Sequence, residues 1–213
     1  RLSTAVERST AGTPLLDVTV EWEYTTVPSG SERRFACVSD RAAYNALVMD
    51  TPITTTWLMT PRPGMDAASR RCFELLSFTV DGEDMPIRRT EHEGGQTYIV
   101  DASVAAAAGN PVRIRHVYRT VTPAWGHRIY VELPQPARGF SFDLDYTNTS
   151  IDSVSVTDMA ANGRAAQIVP SPKRAAGRSL SLRAPGWLLS KSGFAIVWTL
   201  EDELPKSERS EAA

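Results

Sequence analysis

Three arginines share one strand face in the stretch PVRIRHVYRTVTPAWGHRIYVELP, residues 111–134. Arg113, Arg115 and Arg119 fall on one side of an extended chain, and Val112, Ile114, His116 and Tyr118 fall on the other. A guanidinium offers a planar fork of donors that suits carboxylate or phosphate. Two chemistries follow. The face could receive a flat anionic ligand, with Trp125, Arg128 and Tyr130 supplying stacking and a further charge. It could equally be a solvated face whose charges pair across strands. The candidate ligand-binding set is Arg113, Arg115, Arg119, Trp125, Arg128 and Tyr130.

A three-strand meander through 112–121, 127–133 and 140–146 tests the second reading. It sets Arg119 opposite Tyr130, Tyr130 opposite Asp143, and Arg128 opposite Asp145. Glu132, Asp143 and Asp145 then lie on the arginine surface, while Arg113 and Arg115 lack an acidic neighbour. A one-residue slip would turn every side chain to the other face.

Other chemistry is thin. His116 sits on the core row and reads as a packed histidine. His127 borders the Trp125-Gly126 turn, and His92 lies between Glu91 and Glu93 near a hairpin tip. Neighbours on a strand point to opposite faces, so Glu-His-Glu is a poor metal site and no metal is expected. A hydrolase would need His92 or His127 beside a carboxylate. No GxSxG elbow and no glycine-rich phosphate loop occurs, so neither catalytic residues nor a cofactor is expected. Asp143 and Asp145 share a face, but neighbouring arginines would keep both ionised. Cys37 and Cys72 lie in apolar contexts and read as inert packing residues.

The elements that must position these groups are mostly strands. LLDVTVEWEYTTV (15–27) alternates apolar and polar residues, the signature of a half-buried strand. A shorter strand covers RRFACVSD. A helix follows over 39–50, capped by Ser39 or Asp40, with Tyr44, Leu47 and Val48 on its apolar face. Asp81-Gly82 and Gly94-Gly95 mark hairpins, and Asp101 and Gly109 bound a short helix. Further strands are predicted at 112–121, 127–133, 140–146, 153–158, 166–169, 179–183 and 193–200. Trp22 and Trp198 belong to the core, whereas Trp57, Trp125 and Trp187 lie in or beside loops.

About ten strands with one or two short helices define a mostly-β chain, an antiparallel β-sandwich or barrel-like domain. A single domain is expected over 15–201, with a subdivision near 105–111. It is preceded by a polar leader (1–14) and followed by a charged, disordered tail (202–213). The chain opens RLSTAVERS without an initiator Met, as a piece of a longer or processed protein would.

The net charge of −2 carries no nucleic-acid signature, and no stretch of about 18 apolar residues would span a membrane. Three of the 23 basic residues are lysines, and abundant arginine and alanine point to a high-GC bacterial genome. Two cysteines favour the cytoplasm. The expected function is a non-enzymatic binding or sensory module of a larger bacterial protein, recognising a small anion or a protein partner. The alternatives are an assembly module that oligomerises through strand edges, and the histidine hydrolase.

Overall fold

In the computed structural model, residues 1–8, 14–49, 54–159, 166–172 and 177–205 are described. Their contacts cluster into two compact units. The first comprises Arg1 and Thr19–Val121, and the second Leu2–Val18 and Thr122–Ala213. The fold is mostly β, with fifteen strands and two short helices among the described residues.

The first unit holds β2 from Thr19 onward (β2 is Leu15–Thr26), β3 (Glu32–Val38), α1 (Arg41–Val48), β4 (Thr54–Leu58) and β5 (Phe73–Val80). It continues with β6 (Glu83–Asp84), β7 (Ile87–His92), β8 (Gly95–Asp101), α2 (Ser103–Ala108) and β9 (Val112–Pro123) as far as Val121. One sheet runs β4-β3-β8-β7, and strands β2, β9, β5 and β6 are consecutive in another. Between them lies an aromatic core. Phe35 meets Phe78 at 6.0 Å and His116 at 5.0 Å, and Trp57 meets Phe73 at 4.2 Å and Tyr118 at 4.8 Å.

Local rules explain the punctuation. Asp40 caps α1 by accepting from the Ala43 N–H at 2.8 Å. Asp101 accepts from the Ser103 N–H at 2.8 Å, and Gly109 ends α2 in the left-handed region at φ 64°. Asp81 and Gly82 both take positive φ, 50° and 92°, which closes the tight β5–β6 turn. In the β7–β8 turn Gly94 takes φ 72° while Gly95 begins β8.

The second unit holds β1 (Leu2–Arg8), the start of β2, and β10 (Arg128–Glu132). Strands β11 (Ala137–Asp145), β12 (Ile151–Asp158), β13 (Gln167–Pro170), β14 (Ser179–Leu188) and β15 (Gly193–Leu200) complete it. One sheet carries β13-β14-β11-β1-β2, and a three-stranded sheet runs β10-β15-β12. Phe140 and Phe194 stack between the two sheets at 5.8 Å.

Several expectations are corrected. Residues 2–8 are a strand, not a leader: Leu2, Thr4 and Val6 are buried, and β1 pairs in parallel with β11. The segment around Trp57 is strand β4, parallel to β3, so this tryptophan joins the aromatic core. Trp187 lies on β14, which runs five residues beyond its expected end. Residues 201–203 form a 3-10 turn, 204–205 follow without regular structure, and 206–213 of the expected tail lie outside the described residues.

Candidate functional site

The meander does not form. Its three strands belong to different pairings: β9 lies between β2 and β5, β10 pairs with β15, and β11 pairs with β1 and β14. Arg119 therefore faces Glu74, Tyr130 faces Ala195, and Arg128 faces Val197. Asp143 faces Ser181 and Asp145 faces Ser179. A short loop allows a meander without requiring one, and the 124–126 turn carries the chain to another sheet.

The arginine face itself is real, and its carboxylates come from strands distant in sequence. Arg113 Nη2 donates to Glu23 at 2.7 Å, Arg115 Nη2 to Glu21 at 2.8 Å, and Arg119 Nη2 to Glu74 at 2.8 Å. Arg70 reaches the other oxygen of Glu74 at 3.1 Å. The hydrogen bond from Arg115 holds the Glu21 carboxyl below its ordinary range, against the opposing effect of partial burial. Exposed pairs of this kind contribute only about 0–1 kcal/mol each.

Beside Arg113 lies a shallow hollow of about 330 Å³, lined by Glu23, Thr79, Asp81, Gly82, Arg113 and Arg115. Two carboxylates and two guanidiniums line it, so its charge is mixed. Asp81 also accepts from the Arg113 N–H at 2.7 Å, which fixes the hairpin tip against the start of β9.

Trp125, Arg128 and Tyr130, the other half of the candidate set, fall in the second unit. Arg128 lies over the Tyr130 ring at 5.5 Å, and Tyr130 is 57% exposed. Trp125 is also exposed, within the 124–126 turn.

The histidines divide. His92 is exposed at the β7–β8 tip, its Nδ1 3.3 Å from the Glu93 carbonyl. His127 has the carboxylate that a hydrolase would need, with Nε2 3.1 Å from Glu203. Its Nδ1 is 3.2 Å from the Trp198 carbonyl oxygen, so both ring nitrogens are engaged. His116 is buried in the first unit's aromatic core, stacked on Phe78 at 5.9 Å, and burial depresses its pKa to about 3. Burial also pushes the Cys37 thiol up to about 12 and raises that of Cys72. Both are poor nucleophiles. Among the described residues, no three His, Cys, Asp or Glu side chains converge to hold a metal, and no helix is long and apolar enough to cross a membrane.

Two polar clamps have no place in the expected set. Gln96, fully buried on β8, donates to the Ala67 and Ser69 carbonyls at 2.9 and 2.8 Å and accepts from Arg89 Nε at 2.8 Å. Its signal is visible in the sequence: a glutamine occupies the inward row shared with Tyr98 and Val100. Arg178 donates to the carbonyls of Ile151 (2.6 Å) and Thr149 (2.8 Å) and pairs with Glu201 at 3.0 Å. Nothing in its local sequence marks it.

No protein-family model matches the chain, and no curated protein matches it in sequence. Among solved structures, it resembles a protein of Parabacteroides distasonis ATCC 8503 described as a "putative protease", with a TM-score of 0.51 at 8% identity. The match covers 93% of this chain and 39% of that one, so this chain spans about two fifths of the neighbour's length. The resemblance is one of fold.

Proposed function

We propose that this chain is a non-enzymatic binding module of a larger protein, and that its partner is a protein carrying charges of both signs. The observation that carries the reading is the charge-alternating face of β2, β9 and β5. Each of its three central arginines already holds a carboxylate, yet Arg113 and Arg119 remain exposed. A small anion would have to displace a glutamate from its guanidinium. A protein surface can exchange partners across the whole row, trading one ion pair for another at little cost in desolvation. The fold's occurrence within a chain more than twice as long fits a module.

The hydrolase alternative has its carboxylate–histidine distance but lacks a free ring nitrogen to take a substrate proton. The neighbour's label transfers nothing to these residues at 8% identity.

The test places a photo-crosslinking amino acid at Val117, on the arginine row, and illuminates the chain in extract of its source organism. A discrete protein adduct is expected, and it should disappear in an Arg113→Glu, Arg115→Glu variant of unchanged melting temperature. In parallel, inorganic phosphate and citrate are titrated into the chain. Saturable stabilisation by either, abolished in Arg113→Ala, would replace the protein partner with a small anion.

A further inference from the structure

Strand β10 reads Arg128-Ile129-Tyr130-Val131-Glu132 and forms one edge of the sheet β10-β15-β12. Among the described residues no strand pairs with its outer side. Backbone direction along it follows from two hydrogen bonds. The Trp198 N–H donates to the His127 carbonyl at 3.0 Å, and the Leu133 N–H donates to the Ser192 carbonyl at 3.0 Å. In an antiparallel ladder the direction alternates, so Ile129 and Val131 also turn their amides toward β15. Arg128, Tyr130 and Glu132 therefore present their N–H and C=O groups outward. The side chains of these same three residues are exposed.

We infer that β10 pairs antiparallel with β10 of a second copy of this chain, about a two-fold axis at Tyr130. That axis sets Tyr130 against Tyr130 and, on each side, Arg128 against Glu132. The pentapeptide is thus charge-complementary to its own reverse. All three outward-facing residues become hydrogen-bonded pairs at this register, with none left over. Arg128 is already held over the Tyr130 ring at 5.5 Å, on the strand face shared with Glu132. Three-stranded sheets become one continuous six-stranded sheet, which covers an exposed edge that natural sheets rarely leave open.

The opposite edge of the same sheet lacks this property. On β12 the Met159 N–H donates to the Gly193 carbonyl, so Val154, Val156 and Asp158 turn their backbone groups outward. Self-pairing about Val156 would set Val154 against Asp158, with no opposite charge to meet the carboxylate. A charge pattern complementary to its own reverse, as on β10, is what this edge does not have. The asymmetry selects β10 as the edge that closes the assembly, giving a dimer instead of a fibre.

Sedimentation velocity of the full chain over a concentration series tests the inference. The expected species is twice the 23.3 kDa protomer, in equilibrium with it. Arg128→Glu alone, or Glu132→Arg alone, puts like charges opposite at two symmetric positions and raises the dimer dissociation constant roughly tenfold. The double exchange, Arg128→Glu with Glu132→Arg, restores it. Tyr130→Pro removes an N–H that β15 does not use, and yields a folded monomer by circular dichroism. A monomer at every concentration overturns the inference, as does a dimer insensitive to single charge reversal or one that the double exchange fails to rescue.

Discussion

His116 is the residue whose chemistry reaches furthest into stability. Its ring is surrounded by Phe35, Phe78, Tyr24 and Tyr118, and its Nδ1 has no hydrogen-bond partner. Desolvation is the main cause of its depressed pKa of about 3, and the nearby Arg33 charge adds to it. The unfolded chain takes up this proton near pH 6.5, whereas the native state refuses it until about pH 3. Stability from the neutral ring is thus complete above pH 6.5 and declines as the pH falls toward 3. The decline is about 1.4 kcal/mol per pH unit from this group alone. Urea midpoints measured between pH 7 and 4 should fall accordingly for the wild-type chain. In His116→Phe that component of the slope disappears, while the midpoint at pH 7 is retained. An equal slope in both proteins would assign the acid sensitivity to other groups. The position of this histidine was legible in the sequence, because it stands on the apolar row of β9. Its missing partner was not, since that depends on side chains contributed by three other strands.

Elements were legible wherever the chain carries its own punctuation. The Asp40 cap, the Asp101 acceptor just before α2 and the Asp81-Gly82 turn are local, and each was readable from neighbouring residues, although the N-cap of α2 itself is Ala102. β1 escaped because Thr4 and Ala5 blur its alternation, and its burial depends on parallel pairing with β11, some 140 residues away. The arginine row was legible as a face, but its partners Glu21, Glu23 and Glu74 lie on strands that no short loop joins to β9. At β15 one residue decides an element. A Cβ on Gly193 would overlap the carbonyl oxygen of Val131 and crowd the Cα of Glu132, both backbone atoms of β10. Backbone cannot rotate aside as a side chain can. Gly193→Ala should therefore cost about 3 kcal/mol in urea denaturation and speed amide exchange selectively along β10 and β15. A stability loss within a few tenths of a kcal/mol would mean that the strands separate cheaply.

Over the whole molecule, the five tryptophans report how apolar surface is distributed, and they do so differently from their sequence contexts. Trp57 reads as a loop residue yet packs against Phe73 and Tyr118 in the first unit. Trp198 is 4% exposed, and its indole donates to the Ala124 carbonyl at 2.8 Å. Trp125 and Trp187 are 48% and 61% exposed. Acrylamide quenching should then resolve two populations in the native chain, one freely quenched and one protected. Trp125→Phe with Trp187→Phe should remove the quenched fraction and leave a blue-shifted spectrum from the protected indoles. If a partner or a second copy covers either residue, adding it should protect that fraction in the wild-type protein. Uniform quenching of all five would contradict the burial of Trp198 and the ring packing of Trp57, and with them the packing of both units.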